Sequence, residues 1–327
     1  MLDKKPESNI NNPAMNNMKP ATSNEQRATP PGRRPLRAGG RNPKPPWLKK
    51  KIPSGPHKAR VQDLIIKGGL HTVCQEAGCP NQGECFSQGS ATFLLMGDRC
   101  TRNCFFCAVA HGRPDPLSPE EPLQVAQAVK AMGLSYAVLT SVTRDDLADG
   151  GAGHFVRAIL AIRGLCPATK IECLIPDFKG LEPVLALVAE AGPGVINHNI
   201  ETISRLYPTV RPEAGYQRSL TILNFFKQNY PRMLTKSGFM VGLGETEEEI
   251  RVLLIDLLRH GCEIVTIGQY LQPSPVHCPV RRYMPPEEFM AWEKEALAMG
   301  FKAVASGPFV RSSYKAEVLY RQALSKR

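Results

Sequence analysis

Cys100-Thr-Arg-Asn-Cys104-Phe-Phe-Cys107 places three thiols within eight residues, just after the apolar run Ala91-Thr-Phe-Leu-Leu-Met96. Gly97-Asp98 stops that run, so it reads as a buried strand, and the cysteines ride on the loop at its C-terminal end. Parallel α/β folds place their chemistry there. Three readings of the thiols stay open on the residues alone. A zinc site would want a fourth ligand from a second C-x-x-C, and the chain has none. A disulfide set would need an oxidising compartment. An iron–sulfur cluster held by three thiolates fits, and it leaves one iron open for a substrate or cofactor.

Two further motifs narrow the choice. Cys74-Gln-Glu-Ala-Gly-Cys79-Pro-Asn-Gln-Gly-Glu-Cys85 lies upstream, and Arg311-Ser-Ser-Tyr314 lies near the C-terminus. C-x-x-x-C-x-x-C with an aromatic residue before its last cysteine resembles the radical S-adenosylmethionine superfamily. Together with the other two motifs it resembles one family of that group, the lipoyl synthases, from about Val61 onward. The runner-up is another sulfur inserter, biotin-synthase-like or methylthiotransferase-like, against which the upstream spacing and the R-S-S-Y ending speak.

Charge first suggests nucleic acid, with a formal net of +11. Residues 1–60, however, hold 14 Lys+Arg and three Asp+Glu, which leaves 27 of each sign in the remainder. The folded part is neutral, and phosphate binding needs basic residues organised on a folded face, so a zinc-containing nucleic-acid binder is excluded. No apolar run reaches the roughly 20 residues of a membrane span. Ten cysteines without a visible secretory h-region point to a reducing compartment. Cys166, Cys173, Cys262 and Cys278, outside both sets, are expected to be small core fillers.

Residues 1–55 are expected to form a disordered, basic, Pro-rich tail, since they show no periodic apolar face. Asp3, Glu7 and the nearby prolines suit a transit peptide badly, so the cytoplasm is expected rather than the mitochondrion. Residues 56–90 read as an N-terminal extension carrying the upstream cysteines. In 91–307, strands are expected at 91–96, 136–141, 170–175, 195–198, 237–241 and 264–270. The spacing predicts a helix over 246–260, with Ile250, Leu253, Leu254, Leu257 and Leu258 on one face, a Thr246/Glu249 capping box and Gly261 as the stop. Six strands alternating with helices imply a parallel sheet in an α/β fold. The resemblance implies a partial (β/α)6 TIM-like barrel, with 308–327 as a C-terminal segment bringing R-S-S-Y.

The resemblance also implies the chemistry. Cys100, Cys104 and Cys107 would hold a [4Fe-4S] cluster that binds S-adenosylmethionine. Cys74, Cys79 and Cys85, with Ser313 (or Ser312) as an oxygen ligand, would hold an auxiliary [4Fe-4S] cluster that donates sulfur, with Arg311 beside it. S-adenosylmethionine contacts fall on Phe106, Gly150, Gly151, Asn199, Glu201, Arg211, Gly238 and Gly242. The implied reaction inserts sulfur at C6 and C8 of an octanoyl group on a lysine of a lipoyl carrier domain. These unactivated carbons offer no acidic proton, so only a carbon radical can abstract their hydrogens. Implied partners are octanoylated E2 subunits of 2-oxoacid dehydrogenases, the glycine-cleavage H protein, a flavodoxin- or ferredoxin-type electron donor and an iron–sulfur carrier. A monomer is expected, with no nucleic-acid or membrane partner. Cys278 and Thr143 depart from the family pattern.

Overall fold

In the computed structural model, residues 43–50 and 56–327 are described. Ten strands are formed: β1 (His71–Thr72), β2 (Thr92–Leu95), β3 (Arg99–Cys100), β4 (Ala110–His111), β5 (Tyr136–Ser141), β6 (Lys170–Leu174), β7 (Val195–Asn197), β8 (Leu234–Val241), β9 (Ile264–Gln269) and β10 (Ala303–Gly307). Their main sheet has the order β1-β2-β5-β6-β7-β8-β9-β10, parallel throughout except for β1 against β2. No ladder joins β10 back to β1, so the sheet is open on one side. Helices Glu121–Met132, Ala152–Leu165, Glu182–Glu190, Tyr216–Asn229, Glu247–Arg259 and Pro286–Met299 each follow a parallel strand.

Every one of the six expected strands is present, and six βα units make the partial barrel. A seventh parallel strand, β10, was not expected. Its Ala303-Val-Ala-Ser-Gly307 is small and weakly β-prone, and it pairs along β9 in a site where small residues fit. Helix Glu247–Arg259 carries the expected capping box: Glu249 N donates to Thr246 Oγ1 at 3.3 Å and Thr246 N to a Glu249 carboxylate oxygen at 2.8 Å. Ile250, Leu253, Leu254 and Leu257 are buried against β8 and β9 neighbours such as Phe239 and Val265.

The strands read as near-continuous buried runs because both sheet faces are covered. Polar groups among them find partners inside. Lys236, fully buried, pairs with Glu172 at 2.8 Å, and Glu172 also accepts from Tyr136 Oη at 2.8 Å and Asn197 Nδ2 at 2.9 Å.

Most of the segment expected to be disordered, residues 1–42 and 51–55, lies outside the described residues. Within 43–50, Pro46–Leu48 makes a 3-10 turn and buries Leu48. All ten cysteines are free. Cys173, Cys262 and Cys278 are buried as expected, whereas Cys166 is half-buried at the end of helix Ala152–Leu165.

Candidate active site at the barrel mouth

The Cys100–Cys107 loop leaves the sheet after β2, and the short parallel pair β3 and β4 ties its two ends together. Arg102, inside the loop, anchors it from below. Its guanidinium bonds Asp145 at 2.6 and 2.9 Å, past the end of β5, and Asp177 at 2.7 and 2.9 Å, past the end of β6. Asp177 is almost wholly buried (1% exposed) and is held ionised, well below the usual carboxylate range, by Arg102 against the cost of burial. Arg218 reaches the same carboxylate at 3.0 Å. Asp145, just past the end of β5, thus holds the cysteine loop through Arg102.

Cys100 Sγ accepts backbone N–H groups from Arg102 at 3.4 Å and Thr143 at 3.3 Å, which fix the side chain in the loop. Thr143, one of the two departures, acts through its backbone, so its side-chain identity leaves this contact untouched. Burial pushes the Cys104 thiol to about 11 and Cys107 to about 12, with Arg211 opposing the shift at Cys104. Such thiols ionise only beside added positive charge, which iron supplies. Among the described residues no trio of His, Cys, Asp or Glu closes on the scale of one ion.

The remaining expected residues gather at the same strand ends. Glu201 sits at φ +66°, a left-handed conformation that non-glycine residues adopt at a cost of about 1–3 kcal/mol and that concentrates at functional sites. Burial raises its pKa, opposed by Arg211, Asn199 and Arg311. Arg211 Nη1 donates to Asn199 O at 2.9 Å, and its guanidinium lies 5.3 Å from the Tyr207 ring. Arg211 Nε, Asn199 Oδ1, Ser141 Oγ and Ser306 Oγ are buried polar atoms without a hydrogen-bond partner. Such orphans are rare in native interiors and mark where a polar ligand belongs. Gly238 keeps this space open, since a Cβ there would stand 2.5 Å from Thr266 Oγ1 and 3.1 Å from Asn199 Oδ1.

Gly150 (φ +59°) and Gly151 (φ +90°) form the turn before helix Ala152–Leu165, and a Cβ on either would strike Phe178 or Met96. Asp149 fixes the turn by accepting from Gly151 N at 2.9 Å and Gly153 N at 2.8 Å. Gly242 lies under Gln269 and the Arg282 carbonyl, and Glu245 accepts its N–H at 2.5 Å. Phe106 packs with Val210, Leu243, Tyr270 and Cys278. Cys278, the second departure, is therefore a packed thiol.

His198 does not reach into the mouth. It is buried between Ile175 O and Ser219 Oγ, each at 3.0 Å, and burial followed by Arg211 lowers its pKa to about 4. The neutral ring is favoured in the fold, so its stabilising contribution is full above 6.5 and fades as pH falls toward 4. Replacing His198 with Gln is expected to flatten the pH dependence of urea unfolding across that interval; an unchanged slope would contradict the neutral assignment.

The upstream set faces the same mouth. Cys74, Cys79 and Cys85 feel one another electrostatically, and burial raises the thiols of Cys74 and Cys85 to about 12 and 11. Arg311-Ser-Ser-Tyr314 is one tight turn, closed by Tyr314 N donating to Arg311 O at 2.9 Å. Arg311 lies within electrostatic reach of Cys79 of the upstream set and of Glu201 at the mouth, and its guanidinium sits beside Gly268 of β9. Gly268 in β9 makes that approach possible, because any Cβ there would collide with the Val310 carbonyl.

Several supporting residues escape sequence reading. Glu121, at a helix start, accepts from Met96 N at 2.9 and 3.1 Å and bonds His154 Nε2 at 2.5 Å, which joins the end of β2 to the Gly150–Gly151 turn. Nothing in its local sequence signals this. Arg102 offered a signal, being a charge inside a buried-ligand loop.

An open parallel barrel with three thiols on the loop after its first strand defines the radical S-adenosylmethionine superfamily, and the model of that superfamily matches residues 94–257. The fold agrees with Streptococcus suis SuiB bound to S-adenosylmethionine (TM-score 0.51, 9% identity, 69% of this chain and 54% of that one). Within the superfamily the chain belongs to the lipoyl synthase family. The model of the N-terminal domain of lipoyl synthase matches residues 2–79. Lipoyl synthase of Nitrosococcus oceani is 54% identical over 85% of this chain and 86% of its own, and that of Laribacter hongkongensis 53% over 86% and 90%. The family's cofactors are two [4Fe-4S] clusters and S-adenosylmethionine, which the thiols and orphaned polar atoms fit. No described helix is long and apolar enough to cross a membrane.

Proposed function

We propose that this chain inserts sulfur at C6 and C8 of octanoyl-lysine on lipoyl carrier domains, with Cys100, Cys104 and Cys107 holding one cluster and Cys74, Cys79, Cys85 and Ser313 the other. When bound, these groups supply the electron that cleaves S-adenosylmethionine to a 5′-deoxyadenosyl radical, and the sulfur that is inserted. The observation that carries the reading is the R-S-S-Y segment packed both on the upstream cysteine stretch, through Tyr314 to Glu84 and Phe309 to Asn81, and on Gly268 of β9, since both sets must serve one substrate chain.

The residues have separable tasks. Arg211 and Asn199 offer a donor and an acceptor to the carboxylate and amino ends of methionine, Glu201 neutralises the ammonium or ribose side, and Gly150, Gly151, Gly238 and Gly242 shape the backbone around them. Phe106 supplies an apolar face to the adenine. Ser313 is a hard oxygen donor among soft thiolates, so it is the ligand most readily released when sulfur is drawn away. The chemistry requires that water and stray hydrogen donors be kept from the mouth once it is filled.

The carriers are octanoylated E2 subunits and the glycine-cleavage H protein, with a flavodoxin- or ferredoxin-type donor and an iron–sulfur carrier as partners of a monomer. The cytoplasm, where thiols stay reduced, suits this ligand set.

Anaerobic protein is expected to carry about eight irons per chain with matching sulfide. Mass spectrometry of an octanoylated lipoyl domain after turnover is expected to show two added sulfurs. Zinc without sulfide, or a product lacking sulfur, overturns the reading.

A further inference from the structure

Three distant pieces of chain meet beside the upstream cysteines. Asn81, buried between Cys79 and Cys85, accepts from Lys50 Nζ at 2.6 Å and donates to Phe309 O at 2.6 Å. Glu84, next to Cys85, pairs with Lys50 and accepts from Tyr314 Oη at 3.0 Å. The Lys50 ammonium also lies 5.1 Å from the centre of the Phe309 ring and 5.9 Å from that of Tyr314. These contacts tie residue 50, the upstream cysteine stretch and the segment that bears both serines to one another. None uses a residue assigned above to cluster or substrate.

We propose that Lys50, Glu84 and Tyr314 are positioning residues, a latch that holds Phe309–Tyr314, and with it Ser313, against the Cys74, Cys79 and Cys85 thiols. The inference rests on the reading of Ser313 as a ligand. An oxygen donor competes poorly for iron among thiolates, so its residence depends on the protein presenting it at the right place. A one-turn segment has little structure of its own to do so. Lys50 contributes a charge that both orders Glu84 and covers two aromatic rings. The N-terminal segment thereby becomes part of the sulfur-donating site.

The test uses full-length protein loaded anaerobically with iron and sulfide, comparing wild type with Lys50→Met, Glu84→Gln, Tyr314→Phe and Lys50→Arg. Amide hydrogen exchange over residues 309–314 is expected to quicken about tenfold in the first three, the loss of a charge-assisted contact, with residues 100–107 unchanged. The Mössbauer subsite with an oxygen-ligated iron is expected to shrink in parallel, and Lys50→Arg to restore it. Formation of 5′-deoxyadenosine without octanoyl substrate should stay at the wild-type rate. Variants that keep both the slow exchange and the subsite overturn the latch alone. Faster exchange shared by residues 100–107 marks general loosening and overturns it as well. A wild-type protein lacking any oxygen-ligated subsite overturns the ligand reading beneath it.

Discussion

Cys104→Ala is expected to abolish both 5′-deoxyadenosine and product formation, whereas Cys79→Ala keeps the first and loses the second. The two thiols lie in separate cysteine sets, one after β2 and one before it, to which we assign separate clusters. Cys104 feels the charges of Arg211, Cys100 and Glu201, the groups proposed to receive S-adenosylmethionine. Cys79 instead faces Arg311 of the C-terminal turn. Product formation should fall by at least about 10³-fold in either variant, as when one member of a catalytic unit is removed. Chromatography of the nucleoside and mass spectrometry of the carrier domain read the two steps apart. If Cys79→Ala stopped nucleoside formation while its remaining cluster was intact, the division of labour would be wrong.

The second large effect concerns a residue that touches no substrate. Arg102→Met is expected to cost about 3–5 kcal/mol of stability, because it leaves the Asp177 carboxylate buried with only the outlying Arg218 for compensation. Asp177 is held ionised below its unfolded value, so this contribution is present above the ordinary aspartate range and is lost as pH falls through it. The double variant Arg102→Met/Asp177→Asn should recover part of the loss, since the uncompensated charge is then gone. Iron affinity at the Cys100 set is expected to drop about 10- to 100-fold, the usual effect of removing a support behind metal ligands. Urea unfolding and iron titration measure these. A loss below about 1 kcal/mol would mean that the cysteine loop does not depend on its anchor.

Much of the barrel could be read from residue pattern alone. The runs at 136–141 and 264–270 are β-branched and apolar over lengths that suit strands, and Thr246 with Glu249 announces its helix through a local side-chain exchange. β10 escaped because Ala, Ser and Gly carry little strand signal; its identity comes from pairing with β9. His198 follows β7 at the end of the sheet that forms the mouth, yet Ile175 and Ser219 enclose it. A histidine's local sequence does not say which way its ring is drawn.

Cysteine spacing, the R-S-S-Y ending and the alternation of strand and helix periods are properties of the chain itself, and they determined the family and its chemistry. Only the folded arrangement decided that the R-S-S-Y segment packs beside an upstream cysteine stretch more than 200 residues away from it in sequence. It likewise decided that Asp145 and Asp177 hold the cysteine loop, and that Lys50 reaches Glu84. The reason is physical. Periodicity and ligand spacing reflect local geometry, whereas charge pairs across a barrel mouth depend on which strand ends the sheet order brings together.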